Sequence, residues 1–226
     1  MRKVNKHEID HRTMKLIVGV IALALANLTN YFSDYQLTSI SEAYHQGDWP
    51  QTFFVGFLFA IASFLLAFNG RSVAEGVASK FAALAALGVA MFPCKCGCYP
   101  EIIPHVHAAA AAVMFGILTY FCWLYFWRAW RKGYRQAKAR AAIYALCGVA
   151  IAASVAVLTF DNFTNESLSK RVPELTFYGE AIGLWAFGIS WLTASKVIPV
   201  LTTRTEWFVP LLRVPPEAED APGAAR

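Results

Sequence analysis

Six residues of this chain have the types and spacing to do chemistry together. In the stretch Thr38–His45, Ser41 and His45 are four positions apart, and Glu42 and His45 are three apart. On a helix those spacings share one face, so a hydroxyl, a carboxylate and an imidazole would point the same way. Asp48 follows in Asp48-Trp49-Pro50. Proline favours the first helical turn, which makes Asp48 an expected N-cap as well as a candidate ligand. His105 and His107 lie about 200° apart on a helix and cannot share a face. His107 leads the small-residue run Ala108–Ala112, which permits close helix contact. His107 is therefore expected to face inward, with His105 at the rim. Glu180 lies near the start of a long apolar segment. An ionisable residue there is a functional candidate, or a carboxylate at the positive end of a helix dipole.

Two chemistries fit this set. His45 and His107, with Asp48 or Glu180, would hold zinc with an open position for an activated water. Ser41 or Glu42 would then move the proton or stabilise an oxyanion. Alternatively, His45, His107 and Glu180 line a non-catalytic polar pocket for a lipid headgroup or a metal. A separate cluster reads Cys94-Lys95-Cys96-Gly97-Cys98. In an oxidising compartment it would form a disulfide, Cys94–Cys98 being the less strained local pairing, with one thiol left over. It could instead be a soft-metal site for Cu(I) or zinc, with His105 or His107 assisting; copper is the less favoured metal. Cys122 and Cys147 read as packing residues. There is no compact zinc motif, no phosphate-binding glycine loop and no serine-nucleophile elbow.

The elements that must position these residues are membrane helices. The 226 residues are 57% hydrophobic and only 15% charged, against roughly 25% charge in ordinary domains. Mean hydropathy is +0.43. That balance excludes a disordered chain, a disulfide scaffold and a typical soluble enzyme. Six apolar segments are long enough to cross a bilayer: 15–31, 51–68, 78–92, 104–126, 141–160 and 177–200. Continuous apolar runs are not the alternating pattern of barrel strands. The predicted fold is an all-α bundle of six transmembrane helices. A basic tail over 1–14 precedes the transmembrane domain of 15–200, and an interfacial, then disordered, tail follows over 201–226.

Charge placement sets the orientation. Seventeen of the twenty Lys and Arg residues fall in the N-terminal tail, the second and fourth loops and the C-terminal region; only Lys95, Lys170 and Arg171 fall elsewhere. Both termini are thus expected to be cytoplasmic, and the six chemical candidates then lie toward the outer side. The first segment could also be read as a signal peptide, with small residues at Ala22, Ala24 and Ala26. Cleavage would leave five spans. The basic stretch 128–140, interleaved with Trp127, Trp130 and Tyr134, reads as a loop facing anionic lipid rather than nucleic acid. Asn162-Phe-Thr and Asn165-Glu-Ser match the glycosylation pattern, which matters only in a eukaryote.

Several stretches resemble a known family. Ser39-Ile-Ser-Glu-Ala-Tyr-His45, Phe53-Phe-Val-Gly-Phe-Leu-Phe-Ala60, Ala86-Leu-Gly-Val-Ala-Met-Phe-Pro-Cys94, Val106-His107 and Glu180-Ala-Ile-Gly-Leu-Trp-Ala-Phe-Gly-Ile-Ser-Trp-Leu192 together resemble an uncharacterised family of bacterial six-span membrane proteins. That family is distantly similar to the Frag1/DRAM/Sfk1 group. The resemblance implies fold, topology and a bacterial inner-membrane location, and no activity. Ser41-x-x-x-His45 also resembles an element of the alkaline-ceramidase-like membrane hydrolases, which hold zinc with a Ser, an Asp and three His. Their last-span His-x-x-x-His pair is absent here, where Glu180 stands instead, and they have seven spans. The expected function is a non-catalytic or accessory membrane protein with an outward polar pocket. The alternative is a zinc-dependent hydrolase of lipid amides or esters, and a third reading is a subunit of a larger membrane complex with Cys94–Cys98 as a structural disulfide. Expected partners are membrane lipids and other membrane subunits.

Overall fold

The computed structural model describes residues 11–95, 103, 105–164, 166–204 and 206–207. Among these it is all helical. Six long helices follow one another: α1 (His11–Tyr31), α3 (Asp48–Ala67), α4 (Val73–Met91), α5 (Val106–Trp130), α6 (Arg135–Phe163) and α7 (Leu175–Ser195). A 3-10 turn (Ile40–Glu42) and the one-turn helix α2 (Ala43–Gln46) lie between α1 and α3, and a second 3-10 turn (Pro199–Leu201) follows α7. Each of the six apolar segments falls on one long helix. Five of these, α1 and α3 to α6, have the length and apolar composition to cross a membrane. α7 has the length, but its Gly, Ser and Tyr content and Glu180 make it less apolar.

α4 starts earlier than apolarity alone suggests, because its cap sets it. Ser72 accepts from the Glu75 backbone N–H at 3.3 Å and donates to the Glu75 carboxylate at 3.0 Å. This side-chain cap starts α4 at Val73, five residues before the expected Ala78. α1 is described from His11, inside the stretch expected to be a tail. Residues 1–10, and the expected disordered segment 215–226, lie outside the described residues.

The helices form a closed ring in chain order, with α7 returning to pack on α1. Without water to drive association, membrane helices are held by close packing of small residues. The α1–α7 seam shows this: a Cβ on Gly188 would lie 2.8 Å from the Gly19 carbonyl oxygen, and one on Gly19 would lie 3.0 Å from that of Gly188. Ala22 and Ala26 beside it are fully buried. Successive helices run antiparallel, so the basic segments around Lys15, Arg71, Arg128 to Arg140 and Lys196 gather at one end. The strap 37–46, the ends of α4 and α6 and the starts of α5 and α7 gather at the other.

Candidate functional site

The strap between α1 and α3 plugs the second end of the bundle. Leu37, Ile40 and Ala43 turn inward and are buried, while its polar groups reach three neighbouring elements. On the α7 side, the Phe177 N–H donates to the Thr38 carbonyl at 2.8 Å. This satisfies one of the amides that a helix N-terminus leaves open. Three residues on, Glu180 accepts from the Ile40 N–H at 2.7 Å and the Ser39 hydroxyl at 3.0 Å on one oxygen, with Ser41 Oγ 3.4 Å from the other.

On the α5 side, His107 is buried and points inward, while His105 caps the helix in a left-handed conformation and is exposed. His107 Nδ1 lies 2.7 Å from the Phe92 carbonyl and Nε2 lies 3.0 Å from Ser41 Oγ. A carbonyl can only accept, so Nδ1 carries a proton. Two proton arrangements then satisfy Glu180, Ser41 and His107. In one, an imidazolium donates to Ser41, and Ser41 donates to an ionised Glu180. In the other, a protonated Glu180 donates to Ser41, and Ser41 donates to neutral His107. Both arrangements hold the same number of protons. They differ by one proton moved from Glu180 to His107 through the hydroxyl.

The other sequence candidates go elsewhere. Glu42 accepts from the Thr38 N–H and hydroxyl, each at 2.8 Å, and from the Tyr35 hydroxyl at 3.2 Å, and so closes its own loop. His45 Nε2 lies 3.0 Å from the Cys94 carbonyl. A continuous helix over 38–45 would have put Ser41, Glu42 and His45 on one face. The 3-10 turn at Ile40–Glu42 breaks that register, and Ser41 turns inward without His45. Asp48 is not the cap: Gly47 holds that position, and Asp48 itself has φ 42°. A side chain one residue inside the helix with a left-handed backbone cannot reach back to the first-turn amides. Asp48 is exposed and lines a cleft instead. Among the described residues, no three His, Cys, Asp or Glu side chains converge as a metal site. Cys94 is disulfide-bonded, whereas Cys122 and Cys147 are buried free thiols. Cys96, Cys98 and hence the expected Cys94–Cys98 pairing lie outside the described residues.

That cleft has a volume of about 630 Å³ and is lined by Phe32, Asp34, Gln46, Asp48, Trp49 and Thr52, among others. Trp49 stacks on Phe53 with ring centres 5.7 Å apart, and Phe32 lies 5.2 Å from Phe53. Ser41, His107 and Glu180 are not among the cleft's lining residues; they fix the strap that carries Gln46. Gln46 Nε2 donates to Ser33 Oγ at 2.7 Å, and among the described residues its buried Oε1 has no partner.

Sequence reasoning missed three polar groups. Asp161 is buried at the end of α6 and accepts from the Leu168 and Ser169 amides and the Ser169 hydroxyl. Glu75, 1% exposed, makes a two-pronged ion pair with Arg128 between α4 and α5. Glu206 joins Lys132, Lys196, the buried Arg140 and the Tyr134 hydroxyl. Burial pushes the Glu206 carboxyl up, but bonds from Lys132, Lys196 and Tyr134 outweigh it and hold it far below the usual carboxylate range. The Ser72-x-x-Glu75 spacing was a legible signal. Glu206, more than 60 residues from Arg140 in sequence, left none.

A helical bundle with five helices long and apolar enough to cross a membrane has the character of a polytopic integral membrane protein. The profile of the DUF998 family, described as a protein of unknown function, matches residues 16–172, and the chain belongs to that family. The matched stretch covers Ser41, His45, Asp48 and His107 and ends before α7 and Glu180. No curated protein and no solved structure matches the chain. The match extends neither to the Frag1/DRAM/Sfk1 group nor to the ceramidase-like hydrolases.

Proposed function

We propose that the chain is a non-catalytic membrane protein that binds the amine-bearing headgroup of a lipid in the cleft beside α3. The observation that carries this reading is the lining: two exposed carboxylates, Asp34 and Asp48, line the cleft together with the aromatic rings of Trp49 and Phe32. Carboxylate and aromatic face together are the chemistry that holds an ammonium group. The cleft volume falls within the range of small-ligand sites, and an exposed Trp suits the headgroup level of a bilayer. In this reading the termini are cytoplasmic, α7 completes a sixth span and the cleft opens to the outside. Ser41, His107 and Glu180 are positioning residues that hold the strap. Both ring nitrogens of His107 already face bonded partners, which favours this role over zinc ligation.

The test is native mass spectrometry of the full chain released from nanodiscs containing equal phosphatidylethanolamine and phosphatidylglycerol. Both lipids carry a phosphodiester; only one carries an amine. Retention of phosphatidylethanolamine, lost in the Asp34→Asn/Asp48→Asn variant, is expected. Equal retention of both lipids, or a profile unchanged in the variant, overturns the reading. One zinc per chain that disappears in His107→Ala would also overturn it, in favour of the zinc hydrolase.

A further inference from the structure

At the opposite end of the bundle, the start of α1, the α3–α4 turn, the end of α5, the start of α6 and the end of α7 enclose a second cleft, of about 60 Å³. A water needs ~10–15 Å³ of such space, so the cleft has room for roughly four to six, about the size of one phosphate group. Six cationic side chains line it: Lys15, Arg71, Arg128, Lys132, Arg140 and Lys196. Two carboxylates offset them. Glu75 pairs with Arg128, and Glu206 pairs with Lys132, Arg140 and Lys196. Among the described residues, six cations against two anions leave four positive charges uncompensated. Lys15 and Arg71 make no ion pair among the described residues. Lys15 Nζ instead sits 4.6 Å from the centre of the Tyr125 ring and 5.3 Å from that of Phe68.

A second observation is independent of charge. Tyr125 also lines this cleft, is 5% exposed, and among the described residues its buried hydroxyl has no hydrogen-bond partner. A buried tyrosine hydroxyl ordinarily finds one. A spare hydroxyl donor within a ring of ammonium and guanidinium groups is complementary to an oxyanion, which accepts several charge-assisted hydrogen bonds at once. Guanidinium forks match phosphate oxygens in particular.

We propose that this cleft binds the phosphate of a phosphomonoester, with Lys15 and Arg71 as its charge partners and Tyr125 as a hydrogen-bond donor. The phosphate could arrive on a lipid of the adjacent leaflet or on a soluble molecule. The site is distinct from the amine-binding cleft at the other end, and its failure would leave that reading standing.

The experiment is a thermal-unfolding titration of the full chain in phosphatidylcholine nanodiscs. One arm dopes the bilayer with phosphatidic acid. The other adds glycerol 3-phosphate to the buffer, with sodium chloride matched for ionic strength. Binding to the folded state raises the melting temperature in a concentration-dependent way. A shift in the first arm alone identifies a lipid source; a shift in the second identifies a soluble one. Either shift should require at least about tenfold more ligand in Lys15→Gln and in Arg71→Gln, since each removes a charge-assisted bond. Tyr125→Phe, which retains the ring, should weaken it less. Lys15→Arg, which retains the charge, should restore binding and guards against misfolding of the Gln variant. No shift in either arm overturns the proposal, as does a shift of equal size in Arg71→Gln, whose side chain is exposed and can be replaced without unpacking the core.

Discussion

Glu180→Ala and Glu180→Gln should differ sharply, and the difference follows from the donors that Glu180 receives. One carboxylate oxygen accepts from the Ile40 amide at 2.7 Å and the Ser39 hydroxyl at 3.0 Å. Alanine removes that acceptor. The Ile40 amide then has no alternative in a fixed backbone and incurs about 2 kcal/mol, and the Ser39 hydroxyl, which can rotate, about 1 kcal/mol. The expected loss is about 3 kcal/mol. Glutamine can place its carbonyl oxygen on the same two donors and turn its amide toward Ser41, which can accept. Its cost should stay below about 1 kcal/mol. A gap of about 2 kcal/mol is roughly 30-fold in the unfolding equilibrium, which reversible unfolding in mixed detergent micelles resolves. A glutamine variant as unstable as the alanine variant would refute the reasoning, because negative charge rather than acceptor geometry would then hold the strap. An alanine variant within about 1 kcal/mol of wild type would refute it from the other side.

Further outcomes are expected elsewhere in the bundle. Glu75→Ala should cost about 1.5–3 kcal/mol by removing the charge-assisted bonds to the partly exposed Arg128, and Glu75→Gln/Arg128→Met should cost less, since removing both charges leaves none unpaired; the same unfolding assay compares them. Gly188→Ala should cost about 1–3 kcal/mol, because its Cβ would meet the Gly19 carbonyl, a backbone atom that cannot turn away; unchanged stability would show that α1 and α7 approach less closely. The Glu206 carboxyl is lowered in the folded state, so its stabilisation is fully present above the unfolded carboxyl value of about 4.3. It is lost only as pH falls through the folded value. Wild type should therefore exceed Glu206→Gln in melting temperature at pH 7, with the advantage eroding below about pH 4; an advantage gone by pH 6 would contradict this assignment.

The fold was legible because its signals are local. Apolar run length marked each long helix, and the clustering of Lys and Arg foretold which helix ends would lie together. The site was legible only in part. Ser41, His107 and Glu180 do meet, as their shared depth suggested, but the spacing argument that tied Ser41 to His45 assumed a continuous helix. The 3-10 turn was invisible because it is fixed by Glu180, 139 positions from Ser41. Two of the partners in that network are backbone groups, namely the Ile40 amide and the Phe92 carbonyl, and those carry no side-chain signature. At the basic end, reading the charges only for orientation concealed that Lys15, Arg71 and Arg128 line one cleft.

The closed ring also has a consequence in time. Gly19 and Gly188 touch across the last seam, yet nearly the whole chain separates them. At synthesis rates of about 5–20 residues per second, α1 waits roughly 10–30 s for α7 to emerge. Through that interval its small-residue face, Gly19, Ala22 and Ala26, is exposed to lipid and to whatever other helices are nearby. The seam that completes the bundle is thus the last to form, and it is the place where an assembly factor, or a wrong neighbour, would find an open partner.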